Sequence, residues 1–207
     1  MSEPKAVATH AEKVAEGVWQ WTVADERIGG APSNGTAVEE APGSIVLVNP
    51  VRLREEELDR LGEVAAILLT GAGHLRSAPH YRDHTGAAIW APVQVELADG
   101  VDPDETFTDG NELPGALKAI ALPGPRGAEH AFFLKRSGGV MIIGDALTNV
   151  AASGGLCVLP KEHNPDVDKT RQSCRKLLDY EYDTAVFGHG EPILGGARDR
   201  IAQLLGA

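Results

Sequence analysis

Val140-Met141-Ile142-Ile143-Gly144-Asp145 and Ala185-Val186-Phe187-Gly188-His189-Gly190, read together with Ala65-Ala66-Ile67-Leu68-Leu69-Thr70-Gly71-Ala72-Gly73-His74-Leu75-Arg76, decide the fold of this chain. Each segment opens on an apolar run, the pattern of a strand covered on both faces, and delivers a polar group at its carboxyl end. Glycine at each junction lets the backbone turn sharply and approach its neighbours closely. Three runs of this kind each bring a polar group to a strand end.

The flanking sequence supplies the rest of a two-sheet protein. Residues 1–12 read as a loose tail, and residues 13–207 as a single domain. Val14 to Thr22 and Ser44 to Val48 predict strands of a β-rich first half, the second stopped by Asn49-Pro50. Gly29-Gly30-Ala31-Pro32-Ser33-Asn34-Gly35 is dense in turn formers and predicts a mobile surface loop. Arg54 to Leu61 is a charged amphipathic helix ended by Gly62, and Ser77 to His84 starts a second helix with Pro79 in its first turn and Gly86 at its end. Ala131 to Leu134 and Val140 to Ile143 pair as a hairpin across Lys135-Arg136-Ser137-Gly138-Gly139. Thr170 to Leu178 and Gly196 to Leu205 have helical spacing.

The order and spacing of the three rims resemble the metallo-β-lactamase superfamily, whose strands end in T-H-x-H-x-D-H, G-D and G-H-G. The resemblance covers roughly Gly17 to Leu205. It implies an α+β fold, a four-layer αββα sandwich with two sheets face to face and helices outside. It also implies a hydrolase with two divalent metals, zinc as a rule. The last two motifs stand in this sequence; the first does not. With Thr70 on the family threonine, Gly71 and Gly73 fall where the first two histidines belong. Leu75 then takes the aspartate position and Arg76 that of the third histidine. Pro125 stands where a further histidine follows the P-G step. Asp145 and His189 are the ligands that remain, and a zinc site ordinarily takes at least three protein ligands. The resemblance in this altered form implies a protein with a degenerate metal site and no dinuclear hydrolase activity, its cleft kept for a small molecule or a partner. No metal cofactor is expected. The alternative is a hydrolase of an ester, thioester or lactone holding one zinc or other divalent metal through His74, Asp145 and His189.

The residues expected at the cleft are His74, Arg76, His130, Asp145 and His189, with His189 and Asp145 the candidates for catalysis. A carboxylate at a closed rim needs a cation or donors, and the planar fork of Arg76 predicts a pair with Asp145 in place of metal. His189, between two glycines, is open to three readings: a rim hydrogen bond, proton transfer, or metal ligation. His74 occupies a spacer position and needs a loop rearrangement to turn inward. His130, beside Glu129, could reach the cleft mouth.

Composition narrows the function classes. The 207 residues carry a formal net charge of −11, which disfavours a phosphate backbone as partner, so no nucleic acid is expected. No apolar stretch has the length of a membrane span, and the first residues lack the pattern of a secretory signal. A cytoplasmic setting follows as the expectation, with Cys157 and Cys174 as two free thiols. A small-molecule ligand and a homo-oligomer stay open.

Overall fold

The computed structural model describes residues 3–125 and 127–207. Among them, seven strands form the first sheet in chain order: β1 (Glu12–Ala15), β2 (Val18–Asp25), β3 (Ala31–Ala41), β4 (Ser44–Val48), β5 (Glu63–Leu68), β6 (Ala88–Pro92) and β7 (Glu105–Phe107). Helix α1 (Glu55–Leu61) connects β4 to β5 and α2 (Ala78–Thr85) connects β5 to β6, and both strand pairs are parallel. The second sheet contains β8 (Glu112–Leu113), β9 (Leu117–Gly124), β10 (Gly127–Leu134) and β11 (Val140–Ile143). A separate hairpin of β12 (Leu147–Val150) and β13 (Gly155–Val158) then leads to helix α3 (Val167–Cys174). Strands β14 (Thr184–Phe187) and β15 (Ile193–Leu194) complete the second sheet, and helix α4 (Ala197–Leu205) follows.

Period-two alternation sorts each strand between two layers. Val46 and Val48 of β4 face Phe132, Leu134, Ile142 and Val186 between the sheets. Ile45 and Leu47 of the same strand face outward, into a core with Leu58 of α1 and Tyr81 of α2. On the far side Met141, Ile143, Ala185 and Phe187 pack with Cys174 of α3 and Ile201 and Leu205 of α4. The architecture is the expected αββα sandwich. The hairpin register pairs Ala131 with Ile143, and β11 lies parallel to β14 with Ile143 opposite Phe187. Those two strands therefore end together, and Asp145 and His189 emerge on the same rim.

Two segments differ from the sequence reading. The stretch from Ala31 belongs to β3, an 11-residue strand, and only Glu26 to Gly30 turns. Its polar residues are committed inside: Ser33 donates to Asp25 at 2.8 Å, and Asn34 donates to the Phe187 and Gly190 carbonyls at 2.9 and 2.6 Å. Gly35 crosses the face of Trp21, where a Cβ would overlap the ring. The N-terminal segment is likewise seated. Pro4, Ala8 and Ala11 are buried, Ala8 bridges to Leu53, and the Ala11 amide donates to Glu57 at 3.1 Å. Met1 and Ser2 lie outside the described residues. Cys157 and Cys174 are both free, and no helix of the described residues is long and apolar enough to cross a membrane.

A candidate metal-like centre at the strand rim

Three strand ends build the site from opposite sides. After β5, Thr70 starts a tight turn; Ala72 to His74 form one 3-10 turn, and this winding, with Gly71 extended before it, carries His74 inward until it is 1% exposed. His74 thus leaves the spacer orientation its place in the sequence suggested. Its Nε2 lies 3.4 Å from Asp145 Oδ1, and His189 Nε2 lies 3.4 Å from the same oxygen. The His74 and His189 rings are 5.9 Å apart. One ligand atom from each of His74, Asp145 and His189 falls within 4.8 Å of the others, the metal-capable group found among the described residues. His130 is not in it. It is buried between the sheets, edge-on to Phe107 with ring centres 5.3 Å apart.

Arg76 is fully enclosed, at 2% exposure. One terminal nitrogen donates to the Asn34 and Asn49 carbonyls at 2.8 and 3.2 Å, the other to Gly188 O at 3.2 Å and toward His189 Nε2 at 3.1 Å. No direct ion pair joins Arg76 to Asp145 among the described residues. The forked pair expected from sequence gives way because three carbonyls, delivered by β3, the end of β4 and the end of β14, surround the guanidinium first. Arg76 is held at φ 37° and Asn49 at φ 49°, backbone conformations uncommon outside glycine. Asparagine tolerates this region; an arginine in it marks a position fixed by its surroundings.

The tautomer of His189 follows from its partners. Its Nδ1 lies 2.8 Å from the Pro32 carbonyl, which can only accept, so Nδ1 carries the hydrogen. Nε2 is then the acceptor and takes the Arg76 N–H. An Nε2–H would instead set two hydrogens against each other.

Thr70 links the other imidazole to a carboxyl group that sequence reasoning passed over. Its Oγ1 accepts from Asn49 Nδ2 at 2.9 Å, and it lies 2.8 Å from His74 Nδ1. Its single hydrogen serves either His74 Nδ1 or the Glu129 carboxylate. Glu129 Oε1 also accepts the Asp145 amide at 3.1 Å. Both oxygens pass so close over Gly144 that a Cβ there would overlap them, which is why the G-D step needs its glycine. Burial first, then the Asp145 charge, pushes the Glu129 carboxyl up to about 8, so it holds a proton at neutral pH. Burial brings His74 down to about 4, against the pull of Asp145. Burial works against the Asp145 charge, yet the His74 ring beside it holds that carboxyl well below its usual range. Burial lowers Arg76 to about 10, opposed by Asp145, so the guanidinium stays charged.

Asn34 and Glu129 are the site residues that sequence reasoning did not select. Asn34 fell in the apparent loop. Glu129 sits one position from His130 in β10, and alternation sends these neighbours to opposite faces.

Residues 18–207 match the family model described as the metallo-beta-lactamase superfamily. The chain belongs to that superfamily. Solved structures agree on the fold. A metallo-beta-lactamase from Erythrobacter litoralis with beta mercaptoethanol in the active site superposes with a TM-score of 0.73 at 18% identity, over 95% of each chain. FIM-1 from Pseudomonas aeruginosa, in its mono-zinc form, gives 0.74 at 14% identity, over 100% of this chain and 98% of that one. DIM-1 gives 0.73 at 15%, over 97% and 98%. No curated protein matches the sequence. Of the residues that the three strand-end motifs single out, Asp145 and His189 lie at this rim together with His74.

Proposed function

We propose that this superfamily member does not work as a dinuclear metal hydrolase and that its rim serves to bind a small molecule or partner. The observation that carries this reading is Arg76, a cation at a ligand position, donating toward the nitrogen of His189 that would otherwise face a metal. Two metals do not fit, since the His74, Asp145 and His189 group supplies at most one ligand set. One metal fits the donors by chemistry, two imidazole nitrogens and a carboxylate oxygen, but not the present position of Arg76.

A second reading has its own support. His74 Nε2 is buried and makes no hydrogen bond while facing Asp145, an arrangement a shared cation would satisfy. In that reading His74, Asp145 and His189 hold one zinc, and the chemistry the ion supplies is activation of water for attack on an ester, thioester or lactone carbonyl.

Elemental analysis of protein purified without chelator or a metal-affinity step separates the two. The expected result is far less than one zinc per chain, no change of thermal midpoint on adding zinc or EDTA, and no zinc-dependent cleavage of ester, thioester or lactone substrates. One equivalent of zinc, lost on His189→Ala, would establish the mononuclear reading instead. A cytoplasmic setting remains part of the proposal, as does the option of a homo-oligomer.

A further inference from the structure

We infer that Arg76 is a resident cation that keeps metal out of a formed three-donor site, and that removing its side chain converts the rim into a mononuclear zinc site. This rests on the reading above and goes further, because it assigns the exclusion to one side chain rather than to the missing ligands. The donors are already placed: His74 Nε2, Asp145 Oδ1 and His189 Nε2 converge within 4.8 Å. Two of the three need no rearrangement to present lone pairs. His189 Nδ1 is tied to the Pro32 carbonyl, which directs the Nε2 lone pair inward. Asp145 Oδ1 is within 3.4 Å of both rings. His74 has a second-layer partner of the kind that orients a ligating imidazole, with Nδ1 2.8 Å from Thr70 Oγ1.

What opposes a dication is specific. The Arg76 terminal nitrogen lies 3.1 Å from His189 Nε2, one of the three donor atoms a metal would need, and brings a positive charge to it in an enclosed setting. The guanidinium cannot swing aside, because its other N–H groups are held by Asn34 O, Asn49 O and Gly188 O. The charges that act on Arg76 leave room for one positive charge: Asp145 belongs to the cluster, and Asp25 is already committed to Arg27.

Arg76→Gly is the suitable test, since glycine also accommodates φ 37°. Isothermal titration with zinc is expected to give one site in Arg76→Gly, on the order of 100-fold tighter than any wild-type binding. Its thermal midpoint should rise with zinc by about 5 °C. The site should vanish in Arg76→Gly with His189→Ala. Should Arg76→Gly need metal to fold, its soluble yield in zinc against EDTA reads the same site. Arg76→Gln, which loses the charge but keeps an amide donor, provides a second background. In the wild type, ring-nitrogen NMR is expected to place the His189 hydrogen on Nδ1, with no change on adding zinc.

Zinc binding by the Arg76 variants no tighter than by the wild type would overturn the inference, as would a wild-type His189 carrying its hydrogen on Nε2. The outcomes remain distinguishable. Stoichiometric zinc on the wild type removes the proposed function, whereas a zinc-free wild type with zinc-free Arg76 variants removes only the role given to Arg76.

Discussion

Arg76→Ala is expected to destabilise the protein by about 3–5 kcal/mol in denaturant unfolding, the range seen when one member of a buried charge group is removed. The substitution deprives the Asn34, Asn49 and Gly188 carbonyls of a charged donor and leaves Asp145 in an enclosed rim without the guanidinium charge that acts on it. Neither backbone relief nor solvent offsets this cost. The alanine frees no backbone strain, since it meets the same positive φ, and any water entering the space replaces only part of the bonding. The electrostatic share is separable. Adding Asp145→Asn to the Arg76→Ala protein removes the stranded charge and should recover part of the loss, a non-additivity read by a double-mutant cycle. A cost below about 1 kcal/mol, as for an exposed pair, would mean that the guanidinium is not enclosed as described.

The second large effect is a pH dependence with an identifiable origin. Glu129 in the native state keeps its proton up to about 8, whereas in the unfolded chain an ordinary glutamate releases it near 4.5. Between those values the native state binds more protons, so stability falls as pH rises. His74 acts in the opposite direction. It is held near 4 when folded and takes a proton near 6.5 when unfolded, so its contribution grows with pH between those limits. The two slopes oppose one another between about 4.5 and 6.5. From 6.5 to 8 the opposition from His74 fades, and stability should decline there by about 1 kcal/mol, the slope staying below the roughly 1.4 kcal/mol per pH unit of one full proton and easing as pH nears 8. Glu129→Gln keeps an acceptor for the Asp145 amide while removing the titration, and should flatten the decline. A wild-type profile that is level or rising across that window would contradict a protonated Glu129.

The fold was legible because it depends on apolar pattern. Ile67-Leu68, Ile142-Ile143 and Val186-Phe187 are strands covered on both faces, and such strands read as continuous apolar runs whatever their distant partners. Their polar termini were equally visible, and the superfamily resemblance implied that Asp145 and His189 share one rim. The bonding among side chains could not be read in the same way. Whether Arg76 would meet a carboxylate or a ring of carbonyls depended on the Asn34 backbone, which looked like a loop because Pro32, Asn34 and Gly35 are turn formers by local preference. In the fold each has a cross-chain reason to be there, and tertiary contacts override the local signal. His74 was ambiguous for a related cause: a single 3-10 turn after Gly71 decides whether its ring faces in or out. Glu129 would have been found by extending the β10 alternation back from Ala131, which puts it on the face opposite His130.

The bonds from Asn34 and Gln20 to the far sheet have a kinetic meaning. Asn34 reaches the Phe187 carbonyl across 153 residues of sequence, and Gln20 reaches the same oxygen across 167. The Asn34 amide also donates to Gly188 O at 2.9 Å, beside the guanidinium of Arg76. Contacts this distant along the chain close the largest loops and carry their entropy cost in full before any reward is returned. The polar cluster is therefore expected to act as the clasp of the polypeptide, fastening after each half has paired its own strands. Amide exchange at Asn34 would report its opening as a seam between the two sheets.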